Sequence, residues 1–260
     1  MIWQQTSGST MPEDIRCRLE GTTLFYPCSG DDCLHSLTIF SPIVTDFWFV
    51  DLGYFSPFSP ADRVRPLLRH DPTYSLSDVT IEGPVSANLE RRIDPCTGKE
   101  YRWMDPCTRI ERYQHLPSGR EIQVNRRRGF GPSGMRKHIN QMGVFFYRGD
   151  SGGEGGSGTL WLTVRRKATN LMAEVLQRML DGGLIVTDGS NCCSRRNSYK
   201  DLGRFYQTAV DAEAMSRVGA FADDTGNRFR CIGYLGQRYG PTLAWQVEKA
   251  LLPLAGAVCP

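Results

Sequence analysis

Apolar and polar positions divide the 260-residue chain into short segments of two kinds. Thr22–Tyr26, Gly143–Tyr147 and Leu184–Thr187 are short, nearly continuous apolar runs, the pattern of strands covered on both faces. Asp46–Asp51 is a fourth, dense in aromatics and ending in an acid. Between them lie segments with helical signals at Asp32–Phe40, Pro60–His70, Met135–Gln141, Leu160–Leu180 and Lys200–Gln207. Leu171, Val175, Leu176 and Met179 form an apolar stripe on the Leu160–Leu180 helix, and Asp181-Gly182-Gly183 reads as its cap. Tyr74–Glu82 alternates and reads as a strand, and Phe229–Leu235 with Leu243–Val247 reads as a closing antiparallel pair. Strands alternating with helices predict an α/β fold: a mainly parallel sheet with helices on both faces.

Residues 83–130 depart from this rhythm. They are rich in Arg, Asp, Pro and Thr, with turn signals at Cys96-Thr97-Gly98-Lys99 and Pro117-Ser118-Gly119-Arg120. The segment has too few apolar residues to fold alone and is expected as an antiparallel β-hairpin region inserted beside the main sheet. Residues 1–20 read as an N-terminal arm, and 21–260 as a single domain carrying that insertion.

Composition changes this picture little. The chain is 40% hydrophobic and 23% charged, with 31 basic and 28 acidic residues and a net charge of +3; mean hydropathy is −0.37. These values suit a globular protein and are too mildly basic to imply nucleic acid. The clusters Arg126-Arg127-Arg128, Arg136-Lys137, Arg165-Arg166-Lys167 and Arg195-Arg196 therefore read first as solvated surface. With Tyr101, Trp103 and Tyr113 they would alternatively suit a nucleic-acid or protein partner on the hairpin. The chain has no apolar run of membrane-spanning length and opens without a signal-peptide pattern, so a cytoplasmic protein with no membrane contact is expected. Nine cysteines without a Cys-x-x-Cys pair read as free thiols rather than as a metal site.

Candidate chemistry gathers where strands end. Tyr26-Pro27-Cys28-Ser29-Gly30-Asp31-Asp32 is a strand, a tight turn and a helix start: Gly30 lets the chain turn, and Asp31 or Asp32 can cap the helix. Asp51 closes the second strand, and Asp188 closes Leu184–Thr187. Arg148–Gly158 holds six glycines in eleven residues, so its amides could cradle an anion beside Arg148, Gly149, Ser151 and Glu154. Asp150 is a candidate base there. Gly149-Asp150-Ser151-Gly152-Gly153 also matches the nucleophile motif of chymotrypsin-like proteases, but the surrounding helical pattern does not suit two β-barrels.

The order of these segments, the Gly182-Gly183 turn before a buried strand, and the acid at the end of the second strand resemble the class I S-adenosylmethionine-dependent methyltransferase-like (Rossmann-like) superfamily. The resemblance spans roughly residues 20–250. It implies a cofactor loop at Tyr26, Cys28, Ser29, Gly30 and Asp31, with Asp51 as the ribose acid and S-adenosylmethionine as the cofactor. Asp150 and Asp188 would be the catalytic carboxylates. The family loop carries two or three spaced glycines, whereas Gly30 stands alone here. The Tyr-Pro-x-Ser-Gly-x-Asp turn is also loosely similar to uncharacterised bacterial proteins. Two functions are thus expected: a small-molecule or nucleotide-binding enzyme, with methyl transfer as one reaction, or a non-catalytic binding protein with a degenerate cofactor loop.

Overall fold

In the computed structural model, residues 3–4, 11–30, 32–51, 66–83, 90–93, 100–103, 106–148, 171–189, 199–204, 219–237 and 240–250 are described. Four α-helices occur among them: α1 (Glu13–Leu19), α2 (Cys33–Phe40), α3 (Gly131–His138) and α4 (Leu171–Arg178). The strands are β1 (Trp3–Gln4), β2 (Thr23–Pro27), β3 (Asp46–Asp51), β4 (Tyr74–Glu82), β5 (Glu90–Ile93), β6 (Glu100–Trp103), β7 (Cys107–His115), β8 (Arg120–Arg128), β9 (Met142–Tyr147), β10 (Met179–Thr187), β11 (Phe221–Ala222), β12 (Arg228–Gln237) and β13 (Pro241–Glu248). All but β5 and β6 join one eleven-stranded sheet, ordered β1-β12-β13-β10-β9-β2-β3-β8-β7-β4, with β11 paired to β12.

This overturns the expected Rossmann-like, methyltransferase-like architecture. Parallel pairing is confined to the central run β10-β9-β2-β3-β8 and to the short β1–β12 contact. Antiparallel ladders flank that run: β13 and β12 beyond β10, and β7 and β4 beyond β8. The sheet is therefore mixed and strand-rich, and no described helix exceeds eight residues.

Two local causes explain the difference. Part of the segment expected as an appended hairpin belongs to the sheet: β7 and β8 form a nine-pair ladder, and β8 runs parallel to β3 over six residues, whereas β5 and β6 pair with each other apart from it. Charge had disguised it. Arg126, Arg127 and Arg128 are buried, not solvated, at 7%, 8% and 1% exposure. The second cause is the Gly182-Gly183 turn. It lies within β10 rather than capping a helix, at a register shift between Met179 and Leu184. Gly182 has φ +76°, and a Cβ on Gly183 would stand 2.9 Å from the Gly143 carbonyl oxygen, so glycine is needed for both turn and approach. The amphipathic signal upstream is helical only over Leu171–Arg178 among the described residues.

Strand alternation sorts the core into two layers. Leu24, Tyr26, Phe47, Phe49, Val144, Phe146, Leu184 and Val186 pack with Ile15 and Leu19 of α1 and with Leu37 and Phe40 of α2. Phe25, Val50, Phe145, Tyr147 and Ile185 face the other way, against Met135 of α3, Ile139 just after it, and Leu171, Met172 and Val175 of α4. Each such side chain, moved fully out of water, contributes roughly 1.5–3 kcal/mol. That alternation decides which residues share the face that carries α2.

Candidate functional site

The five parallel strands run in one direction, so their C-terminal ends form one edge. By alternation, Tyr26, Asp51, Arg128, Arg148 and Asp188 all fall on the α2 face of that edge. Asp51 stands opposite Arg128 in the β3–β8 register. A row of charged groups at strand ends beside a helix start is the usual position of a ligand crevice in parallel sheets.

The turn after β2 is tightly held. The Cys28 amide donates to the Val50 carbonyl at 2.7 Å, and the Asp32 amide donates to the Ser29 carbonyl at 2.9 Å. Cys28 has φ +55°, the only positive φ at a non-glycine residue among those described. Gly30 has φ +48°, and its amide donates to Asp51 Oδ2 at 3.0 Å. Asp51, 8% exposed, thus ties the end of β3 to the turn after β2. Ser29 is buried at the same turn. Cys28 is partly buried, and Cys33, Cys107 and Cys231 are buried thiols. Among the described residues no group of three His, Cys, Asp or Glu side chains stands ready to hold a metal ion.

Asp32, the residue before α2, makes a forked ion pair at this edge. Its side chain does not cap the helix. Instead it accepts the Tyr26 hydroxyl at 2.7 Å and Arg148 Nε at 2.8 Å, and its Oδ1 closes a second bond to the Arg148 guanidinium. This forked pair joins α2 to the end of β9. Arg148 also lies 5.7 Å over the Phe146 ring and donates to Thr242 Oγ1 at 3.5 Å. The charge expected to serve an anion cradle is thus engaged by a carboxylate. Tyr26, proposed for the cofactor loop, is a core residue with its ring 4.8 Å from that of Phe146.

His35 packs edge-on to Phe146, one turn into α2. Burial, then the Arg148 charge, push its pKa down to about 4, against opposing pulls from Asp32 and the Leu235 backbone. His138, stacked on Trp48 at 4.5 Å, is likewise pushed to about 4 by burial, Arg127 and Lys137. A histidine kept neutral by the fold binds its proton more readily when unfolded. Stability is therefore flat above pH 6.5 and falls between pH 6.5 and pH 4. With solvent reaching part of each ring, the loss at pH 5 is expected to be about 1 kcal/mol per histidine. Thermal unfolding at pH 7 and pH 5 should show the drop, and His35→Gln should remove about 1 kcal/mol of it. A drop that H35Q leaves unchanged contradicts the assignment.

Asp188, at 1% exposure, lies beyond β10 on the same face. The Gly189 amide that follows donates to Thr187 Oγ1 at 3.0 Å. Asp31, Gly149, Asp150, Ser151 and Glu154 lie outside the described residues, as does the rest of the glycine-rich loop. Sequence reasoning passed over Asp32 as the partner of Arg148, and Arg128 as a buried group. The signals were present: adjacent acids of which one capping position can use only one, and Arg126 and Arg128 continuing the Ile122, Val124 alternation.

Compared with protein-family models, curated proteins and solved structures, the chain matches none. Among the described residues no helix is long and apolar enough to cross a membrane.

Proposed function

We propose that the α2 face of this strand edge binds a small ligand bearing vicinal hydroxyls, of the nucleoside class, with Asp51 as the hydroxyl acceptor. The observation that carries the reading is the Gly30 amide bond to Asp51, which fixes a mostly buried carboxylate at a strand end, opposite Arg128 in the register and on the same strand edge as Arg148 and Asp188. A carboxylate accepts two adjacent hydroxyls without rearrangement, and one held by a backbone amide loses little freedom on binding. S-adenosylmethionine belongs to this class through its ribose. The chain's residues suit that ribose better than they suit a methionine cradle, because Gly30 is the single glycine of the turn and Cys28 occupies its other left-handed position. If the ligand is transformed, the chain's contribution is positioning, and Asp188 is the described carboxylate we assign to proton removal.

Asp51→Ala is expected to weaken adenosine binding by about 100-fold or more, through loss of a charge-assisted acceptor. Titration calorimetry on the variant reads the affinity, and its denaturation midpoint reports whether the turn has survived. Unchanged affinity in a folded variant overturns the assignment. Asp51→Asn, which can still accept the Gly30 amide, separates turn support from ligand binding.

A further inference from the structure

The α2 face carries a second polar group that this reading does not use. Arg109 of β7 and Arg126 of β8 are directly opposed in the ladder, and both donate to Oε1 of Glu111. Arg126 does so at 2.6 Å. Glu111 is fully buried, and Oε2 accepts the Tyr113 hydroxyl and the Leu67 amide. One carboxylate therefore meets two guanidiniums. The Nε of Arg126 is buried and has no acceptor among the described residues, although the residue is only 7% exposed. Two positions further along β8, on the same face, stands Arg128, beside Asp51 in the register.

A buried guanidinium N–H without an acceptor is costly, and a dianionic oxyanion is the group its planar fork fits best. We infer that Arg126, with Arg128 next to it, forms an oxyanion subsite for a phosphoryl group, so that the ligand is a nucleotide rather than a nucleoside. Asp51 takes the sugar hydroxyls and the β8 arginines take the phosphate: Arg128 stands one strand spacing, about 4.8 Å, across from Asp51, and Arg126 two residues, about 7 Å, further back along β8. The sugar half of this inference rests on the reading of Asp51 above; the anion half does not. It also gives the unusual Arg126-Arg127-Arg128 run a use on one face only. Arg127 points the other way and donates to Thr108 Oγ1 at 2.9 Å.

The test uses the full chain and calorimetric titration with adenosine, adenosine monophosphate, inorganic phosphate and pyrophosphate, at matched ionic strength. The monophosphate is expected to bind at least about tenfold more tightly than adenosine, as one charge-assisted contact supplies. Inorganic phosphate should compete for that extra affinity. Arg126→Lys keeps the charge but removes the fork, and should narrow the ratio; its urea midpoint guards against misfolding. Equal affinities for nucleoside and monophosphate overturn the phosphoryl subsite while leaving Asp51 in place. Binding of phosphate and pyrophosphate without adenosine supports the subsite and overturns the nucleoside reading. Failure of phosphate, pyrophosphate and the monophosphate to bind overturns the inference, whatever Arg126→Lys does.

Discussion

Replacing Glu111 with alanine is expected to remove about 3–5 kcal/mol of folding stability, because it leaves two buried guanidiniums without their shared carboxylate. Arg109 and Arg126 are 5% and 7% exposed, so water cannot take over the lost contacts. The carboxylate is held ionised. Burial pushes its pKa up, but Arg126, the Tyr113 hydroxyl, the Leu67 amide and Arg109 outweigh burial and hold it below the ordinary value. The Tyr113 hydroxyl is raised in turn, by burial and by the Glu111 charge. The same carboxylate anchors the Leu67–Leu68 turn over the sheet, since Leu67 donates to it and Leu68 donates to Tyr113 at 3.3 Å. A loss of this size is a large share of the roughly 5–15 kcal/mol that a domain has in total. Urea unfolding reads it directly. A variant within about 1 kcal/mol of the parent would mean that the cluster is hydrated in solution.

The second large effect is asymmetric. Asp32→Ala is expected to cost about 3 kcal/mol or more, and Arg148→Met about half as much, although both break the same ion pair. The difference lies in burial: the Arg148 side chain is 7% exposed and that of Asp32 is 19% exposed. Removing the acid strands a deeply buried cation and also deprives Tyr26 of its acceptor. Removing the base leaves a carboxylate that water can still reach, and methionine keeps the apolar stem over Phe146. A double-mutant cycle should give a coupling of about 1 kcal/mol or more between the two positions. Equal costs, or no coupling, would show that the pair does not hold α2 to β9.

How much of this was legible in the sequence depends on which force wrote each element. The central strands β2, β3 and β9 are written by burial alone: Thr23–Pro27, Asp46–Asp51 and Met142–Tyr147 are runs whose apolar side chains feed two core layers. Asp51 and Asp188 were legible as strand-end acids for the same reason. β8 was legible as a strand of a hairpin with β7, from the alternation over Glu121–Arg127 and the Pro117–Arg120 turn, but its place beside β3 was not, because its burial is satisfied by ion pairs and hydrogen bonds. Arg126 with Glu111 and Arg127 with Thr108 are long-range partners that no local pattern announces. Setting that hairpin beside the sheet mistook a central element for an appendage, and with it the balance of parallel and antiparallel pairing. The Gly182-Gly183 turn failed differently. A helix cap and a strand bulge ask for the same left-handed residue, and only the register between β9 and β10 tells them apart.

The most direct measurement of the central claim is thermal unfolding of the unmodified chain with adenosine, adenosine monophosphate, S-adenosylmethionine, S-adenosylhomocysteine, NAD and ATP, each at several concentrations. A ligand at about 100 times its dissociation constant adds roughly 2.7 kcal/mol to the folded state, which is a readable shift. A site built on Asp51 at the strand edge predicts stabilisation by the ribose-bearing compounds that grows with concentration and disappears in Asp51→Ala. No stabilisation by any of them, or a shift that Asp51→Ala leaves intact, would contradict it.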